Sequence, residues 1–246
     1  MDDETRSSRR HTRRREDREL HDHGGGYVCG SIASHRPLTN AVALHFNGRV
    51  LTVDYRLAPE NQFPAAVQDV VAAYRHLIDI GCSPSGIVIA GDSAGGGLAV
   101  AAALQIRAEG LPRPGALWAI SPWADLTNSS PSLRETGIRD PIVYHESLVG
   151  CASAYLGGQS AQDPLASPAL ADLAGLPPLL IQVGSREILI DDAMLLARAA
   201  AKAHVDVSLA VWPEMIHAWH LFVPNLDEGG AAIMAGLRWA EEKLTY

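Results

Sequence analysis

The hydrophobic positions of this 246-residue chain fall into short apolar runs separated by segments with helical periodicity. Each run is continuous over about five residues and rich in Val, Ile and Leu, which is typical of strands buried on both faces of a sheet. The runs are RVLTV (49–53), GIVIA (86–90), ALWAI (116–120), LLIQV (179–183) and VSLAV (207–211). Their alternation with helices predicts an α/β fold with a mostly parallel, doubly wound sheet, whose functional groups lie at the carboxyl ends of the strands.

Helical patterns separate several of these strands. In the clearest one, Val67, Val70 and Tyr74 share one face, Pro64 stands at the start and Gly81 stands just past the end. Further helices are predicted over Gly96 to Glu109, over Asp192 to His204, and in AAIMAGLRWAEEKL near the C-terminus.

Two segments depart from this alternation. Residues 121–178 are rich in Pro, Ser and Gly and enclose one predicted helix, PIVYHESLVGCASAYLG, so we expect a partial cap that crosses the top of the sheet. Residues 1–22 are densely charged with few aliphatic side chains, and we expect them to be disordered because they cannot bury enough apolar surface. The folded domain is therefore expected to span residues 23–246.

Charge, cysteine spacing and the length of the apolar runs limit the kinds of molecule that the protein is expected to bind. The net charge of −8 and the pI near 5.6 make nucleic acid an unsuitable partner and favour a neutral small molecule. Cys29, Cys82 and Cys151 are widely spaced without a C-x-x-C pair, which predicts free thiols rather than disulfides or a zinc site. No apolar run approaches the roughly 18 residues of a membrane span, and the protein is expected to be soluble and cytoplasmic.

A serine stands at an abrupt corner between a predicted strand and a predicted helix, in GDSAG (91–95). In this context G-x-S-x-G is typical of a nucleophile elbow, where a tight turn exposes the serine hydroxyl and the glycines prevent collisions. Taken alone, the pattern also fits a plain packing turn. Phosphate binding is disfavoured because a Walker-type lysine is missing. Ser93 is therefore the candidate nucleophile.

A serine nucleophile needs a general base, which in such a fold follows the serine in the chain. His217 stands a few residues after the last predicted strand and is the candidate base, with His220 and His204 as rivals. If His217 is the base, activity should decline on the acid side, roughly between pH 5 and 7, as the imidazole protonates.

A carboxylate must orient that base. Glu187 is the candidate because it is the acid nearest to the end of the strand LLIQV. Asp191 and Asp192 lie further on, where an N-cap and first-turn residue of the next helix are expected.

Backbone amides that could hold an oxyanion are the third requirement. Gly24, Gly25 and Gly26 of HGGG (23–26) leave three consecutive amides accessible, and the Ala94 amide follows the serine. An HGGG element paired with an elbow is typical of esterases. A flexible linker is the alternative interpretation of the glycines.

Taken together, these segments resemble the bacterial hormone-sensitive-lipase-like esterases of the α/β-hydrolase fold. The matching pieces occur in the family's order: HGGGYVCGS, VDYRLAPE, FPAA, GDSAGGGLA, SPWADL, DPLASP, GSREILIDD and HAWHLF. The resemblance implies roles for residues already singled out: Ser93 as nucleophile, His217 as general base and acid, and Gly24, Gly25 and Ala94 as oxyanion donors. Glu187 stands at the first position of the family's acid block, where Asp is usual.

The chain departs from the family before the glycines. Family members look longer there, with lid helices, edge strands and an apolar strand that leads into the histidine of HGGG. Here RRREDREL (13–20) stands in the place of that strand. A shortened front with a reduced lid would expose a sheet edge, which predicts either low stability or a homodimer that covers the gap.

These observations favour the hypothesis that the protein is a carboxylesterase. It would cleave small-molecule, short-chain acyl esters through an acyl-enzyme intermediate, without a metal or an organic cofactor. The alternatives are a catalytically impaired hydrolase or a ligand-binding protein of the same fold. The presence of His217 favours the enzyme. Amide or lactone hydrolysis by the same residues stays open, because leaving-group preference depends on pocket shape.

Overall fold

The protein is built around a parallel sheet in a computed structural model that describes residues 18–46, 48–134 and 140–244. The strands of this six-stranded sheet are β1 (Arg18–Asp22), β2 (Arg49–Val53), β3 (Ile87–Asp92), β4 (Ala116–Ile120), β5 (Leu179–Gly184) and β6 (Val207–Trp212). Their order across the sheet is β2-β1-β3-β4-β5-β6, and every neighbouring pair is parallel. The predicted α/β class is confirmed, and each of the five predicted strands is present within two residues of its expected bounds.

Helices cover both faces of the sheet. They are α1 (Ile32–His45), α2 (Ala65–Asp79), α3 (Ala94–Ala108), α4 (His145–Leu156), α5 (Ile190–Lys202) and α6 (Asp227–Lys243). Helices α2, α3 and α5 pack on one face in a core that also contains Ile89 and Leu117, whereas α1 and α6 pack on the other face with Val88 and Trp118. Every residue of β3, β4 and β5 is buried, which explains their uninterrupted apolar runs. In the described part of the chain, no helix is both long and apolar enough to cross a membrane.

The disorder predicted from the sequence for residues 1–22 is wrong for residues 18–22, which form strand β1. Arg18–Asp22 lie in the sheet between β2 and β3 and pair with both, whereas residues 1–17 lie outside the described part of the chain. The strand escaped prediction because Glu19, His21 and Asp22 are all buried despite being ionisable. Ladder hydrogen bonds on both sides supply the backbone pairing that a strand requires, whatever its side chains are.

The buried charges of β1 are partly compensated by one another. His21 Nδ1 lies 3.1 Å from Glu19 Oε1, and His21 Nε2 lies 3.7 Å from an oxygen of Asp92 at the end of β3. Burial lowers the pKa of His21, but the two carboxylates outweigh burial and raise that pKa to about 10. An imidazolium between two carboxylates therefore lies in the interior of the sheet.

Asp22 gains only the charge of the neighbouring His21 against the cost of burial, and its side chain has no hydrogen-bond partner in the described part of the chain, so its replacement provides a stability test. Both carboxyl oxygens are buried without a hydrogen-bond partner among the described residues, and burial raises the Asp22 pKa well above its ordinary value. Asp22→Leu keeps the branching at Cγ and removes the unsatisfied oxygens, so we expect a stability gain of about 1–2 kcal/mol and a Tm higher by roughly 2–8 °C. Thermal unfolding measures this, with Asp22→Asn as the polar control. A Tm of Asp22→Leu below that of Asp22→Asn would contradict the expectation.

Helix α1 is the second element that the sequence patterns did not predict. Ser31 caps its N-terminus, and Ser31 and Ser34 form reciprocal hydrogen bonds of a capping box. The helix contains Pro37 and buries His35 and Thr39 beside its apolar residues. Because polar side chains occupy part of the buried face, the apolar stripe that identifies a helix is interrupted.

Candidate active site

The GDSAG corner joins β3 to α3 as a strained turn. Ser93 has φ 55° and ψ −121°, a conformation that L-residues rarely adopt. A Cβ at Gly91 or Gly95 would overlap the backbone of Asp22 in β1, which explains why both flanking positions are glycine. The Ser93 amide donates to the carbonyl of Ile120 at 2.8 Å, so the corner is fastened to the end of β4.

His217 and Glu187 meet at the carboxyl edge of the sheet. Glu187 follows β5, His217 follows β6, and His217 Nδ1 lies 3.1 Å from Glu187 Oε2. Glu187 is fully buried and His217 is almost so. Because a carboxylate only accepts, Nδ1 carries the shared proton, and Nε2 is the ring nitrogen left to act as a base. Ser93 follows β3 at this same edge, as the sequence predicts for three parallel strands.

Burial and pairing set the ionisation of these two side chains. Burial raises the pKa of Glu187, while hydrogen bonds from His217, Ser121 and the Gly184 amide oppose that rise. For His217, burial lowers the pKa, but the hydrogen bond and charge of Glu187 outweigh burial, so the pKa lies above the ordinary value of 6.5. The pair is thus arranged to stabilise a proton that arrives on the imidazole.

The two other candidate bases, His220 and His204, do not pair with Glu187. His220 is fully buried, and its Nε2 lies 3.0 Å from Oε1 of Gln182. Burial lowers the pKa of His220 to about 3, which keeps its ring neutral. His204 is exposed in the turn between α5 and β6, at the amino end of that strand and away from the carboxyl edge.

The two other candidate acids, Asp191 and Asp192, accept hydrogen bonds from the backbone amides of nearby loops. Asp191 accepts a hydrogen bond from the Ser132 amide at 2.8 Å. Asp192 is buried and accepts from the amides of Ala124 and Asp125, each at 3.0 Å. Neither aspartate contacts an imidazole by a hydrogen bond within the ranges that the structure describes.

The glycine loop corrects one expected oxyanion donor. The Gly24 amide points inward and donates to Asp92 Oδ1 at 3.1 Å, and its nitrogen also lies 3.2 Å from His35 Nε2. Because that hydrogen is already in use, the expectation that Gly24 is an oxyanion donor is wrong. Its contact with Asp92 instead ties the glycine loop to the residue that precedes Ser93.

The remaining candidate amides are Gly25, Gly26 and Ala94. Gly25 has φ 115° and Gly26 has φ 63°, values that favour glycine. Neither amide donates a hydrogen bond to another residue of the described chain. Ala94 is the first residue of α3, so its amide has no acceptor within the helix and lies at the positive end of the helix dipole. These three amides fit an anion that develops beside Ser93.

Ser121 and His35 also contact acids of this region, although local sequence patterns do not single them out. The Ser121 hydroxyl donates to Glu187 Oε1 at 2.6 Å, and His35 Nε2 lies 3.2 Å from Asp92. Ser121 immediately follows the predicted strand ALWAI, and that position was its one signal. His35 lies on the unpredicted helix α1, and nothing in its local sequence indicates a link to Asp92.

The described residues contain no group of three or more His, Cys, Asp or Glu side chains that could hold a metal ion.

Curated relatives carry names of hydrolytic enzymes. An acetyl-hydrolase of Streptomyces hygroscopicus is 50% identical over 214 residues, covering 87% of this chain and 72% of that protein. An esterase of Acinetobacter venetianus is 37% identical over 215 residues, covering 87% of this chain and 71% of that protein.

Solved structures and a family model agree with these relatives. The crystal structure of an esterase from the bacterial hormone-sensitive lipase family is 47% identical with a TM-score of 0.92, covering 94% of this chain and 78% of that one. The esterase EstE5, soaked with p-nitrophenyl butyrate, is 44% identical with a TM-score of 0.90, covering 93% and 77%. A family model described as the alpha/beta hydrolase fold matches residues 20–221. The chain therefore belongs to the α/β-hydrolase fold family, among the esterases of the bacterial hormone-sensitive lipase family.

Proposed function

We propose that the protein is a serine carboxylesterase whose site combines Ser93, His217 and Glu187. The observation that carries the proposal is the buried hydrogen bond between Glu187 and His217, 3.1 Å long, on loops that end at the same sheet edge as the strained turn of Ser93. A lone imidazole on a loop is usually solvated, whereas a buried one oriented by a carboxylate fits a general base.

The first half of the proposed reaction forms an acyl-enzyme. His217 Nε2 takes the hydroxyl proton of Ser93 while the serine oxygen attacks the carbonyl carbon of the ester. The carbonyl electrons move onto oxygen, where the amides of Gly25, Gly26 and Ala94 would stabilise the negative charge. Collapse of this intermediate breaks the bond to the alcohol, which leaves with the proton from His217.

The second half repeats the sequence with water. His217 takes a proton from water, the resulting hydroxide attacks the acyl carbon, and the same amides would hold the oxyanion. Collapse returns the proton to Ser93 and releases the carboxylic acid. Throughout both halves, Glu187 would keep the imidazole in one tautomer and stabilise its cation.

A small-molecule, short-chain acyl ester is the proposed substrate. The name acetyl-hydrolase and the p-nitrophenyl butyrate soak of EstE5 both concern short acyl groups in proteins similar to this one. A series of p-nitrophenyl esters from acetate to palmitate tests the proposal. We expect the largest kcat/KM at acetate or butyrate, and a maximum at palmitate would contradict it. An absence of turnover from folded protein would instead favour the impaired hydrolase or ligand-binding alternative.

The acid limb of the activity should lie above pH 6.5. The base acts only when neutral, and Glu187 holds the pKa of His217 above 6.5, so kcat/KM falls as the pH drops through that raised value. The measurement is a pH profile of kcat/KM with p-nitrophenyl butyrate. A limb with its midpoint below pH 6 would contradict the pairing of His217 with Glu187.

Two expectations from the sequence stay predictions. One is a cytoplasmic location, which cell fractionation tests. The other is a homodimer or a low stability, which light scattering and thermal unfolding of the purified protein test together. A monomer with a cooperative Tm above about 65 °C would contradict the second expectation.

A further inference from the structure

Ser121 stands between the two loops that carry Glu187 and His217. It directly follows β4, and its side chain is fully buried. Its hydroxyl donates to Glu187 Oε1 at 2.6 Å and accepts from the amide of Ala218 at 3.1 Å. Ala218 is the neighbour of His217 in the chain, so one hydroxyl contacts the carboxylate itself and the backbone beside the imidazole.

These contacts determine how the carboxylate of Glu187 is presented. Oε1 accepts from Ser121 and from the Gly184 amide at 2.7 Å, whereas Oε2 lies against His217 Nδ1. Because two donors occupy one oxygen, rotation of the carboxylate about its last bond is resisted, and the other oxygen stays in line with the imidazole. The 2.6 Å distance lies in the range typical of a hydroxyl that donates to a carboxylate, a class of hydrogen bond stronger than one between neutral groups.

The backbone at Ser121 supports a specific role for the hydroxyl. Its φ is 46°, a left-handed conformation that costs energy for any residue other than glycine. Its amide donates to the Gln182 carbonyl of β5 at 2.7 Å, which holds the turn in place. Packing alone would be served by glycine at such a φ, whereas serine keeps a hydroxyl aimed at Glu187.

We propose that Ser121 is a positioning residue of the hydrolytic reaction, which acts through Glu187 and the loop of His217 by holding both with one hydroxyl. The inference rests on the proposed serine esterase function. Ser121 does not contact the reacting atoms in this account. Its contribution is the orientation of the carboxylate that in turn orients the base.

Ser121→Ala removes the hydroxyl and keeps the Cβ. We expect kcat to fall roughly 10- to 100-fold, the size expected when a hydrogen bond to a charged group is lost, while KM changes less than about twofold. The matched control is Ser130→Ala, because the Ser130 hydroxyl also donates at 2.6 Å to a buried carboxylate, that of Asp192. The control should keep kcat within about twofold. A folded Ser121→Ala variant with unchanged kcat would overturn the proposal.

A double-mutant cycle separates positioning from general damage. The part of the effect that acts through Glu187 is lost in a Glu187→Gln background, so Ser121→Ala should cost clearly less kcat there than in the unmodified protein. An equal loss of kcat in both backgrounds would overturn the proposal and indicate a structural role. Ser121→Gly serves if the alanine variant does not fold, because glycine tolerates the φ of 46° while also removing the hydroxyl.

Failure of this inference is distinguishable from failure of the proposed function. If the unmodified protein turns over esters and Ser93→Ala does not, yet Ser121→Ala matches the unmodified protein, only the role of Ser121 is wrong. If Ser93→Ala keeps full turnover, the proposed function itself fails, and the proposed role of Ser121 fails with it.

Discussion

Ser93→Ala should abolish ester hydrolysis, with kcat falling on the order of 10⁵- to 10⁶-fold, as for other serine hydrolases that lose their nucleophile. The expected loss is large because the acyl-enzyme cannot form without the hydroxyl, and only the oxyanion amides and substrate binding would remain to accelerate attack by water. Alanine keeps the Cβ of serine, so the strained turn at φ 55° is expected to persist. The measurement is turnover of p-nitrophenyl butyrate at saturating concentration.

Thermal unfolding provides the control for this variant. A Tm within a few degrees of the unmodified protein would show that the loss is chemical rather than structural. Full turnover by a folded Ser93→Ala variant would contradict the serine esterase account and leave the GDSAG corner as a packing turn.

Glu187→Gln should reduce kcat about 10³- to 10⁴-fold, the size of effect known when the acid of a serine triad becomes an amide. The amide side chain keeps the shape but cannot carry the negative charge that stabilises the His217 imidazolium. Its NH₂ group can also turn toward Nδ1 and favour the wrong tautomer. Because Glu187 raises the pKa of His217, the acid limb of any remaining activity should move to lower pH.

Asp191→Asn is the matched control for Glu187→Gln. Asp191 lies in the same segment of the chain, but it accepts from the Ser132 amide rather than from an imidazole. We expect Asp191→Asn to keep kcat within about threefold. If only Asp191→Asn abolished turnover in a folded protein, the choice of Glu187 as the acid would be wrong.

Much of the sheet could be predicted from sequence because the interior strands carry a simple signal. The runs ALWAI and LLIQV are buried at every position, so continuous hydrophobicity identifies them without further information. The order of the strands across the sheet required the structure, since the apolar runs alone do not say which strands are neighbours.

Strand β1 shows the limit of that signal. From the sequence, Glu19 and His21 are expected to be exposed to solvent, yet both are buried. The cost of burying these charges is offset by pairing, and the partners include Asp92 on β3. A propensity argument cannot include a partner that is distant in the chain. The same reason hid α1, whose buried His35 is paired with the same aspartate.

The site residues also fall into those that the sequence could identify and those that required the structure. Residues that carry local motifs, such as Ser93 and His217, could be singled out because their spacing from strands has a chemical meaning. Ser121 and the inward amide of Gly24 could not, because their roles depend on the placement of Glu187 and Asp92 in three dimensions. Four glycine and alanine amides looked alike in sequence, and only their hydrogen bonds distinguished the one that is already in use.

Active-site labelling is the sharpest measurement of the proposed chemistry, because the probe reacts with the activated hydroxyl of Ser93 itself. A fluorophosphonate probe should attach one equivalent to the protein, and peptide mapping should locate it on Ser93. The labelling rate should fall by orders of magnitude in His217→Ala, because the base that activates the hydroxyl is gone. Attachment of the probe to another residue, or an undiminished labelling rate in folded His217→Ala, would contradict the account.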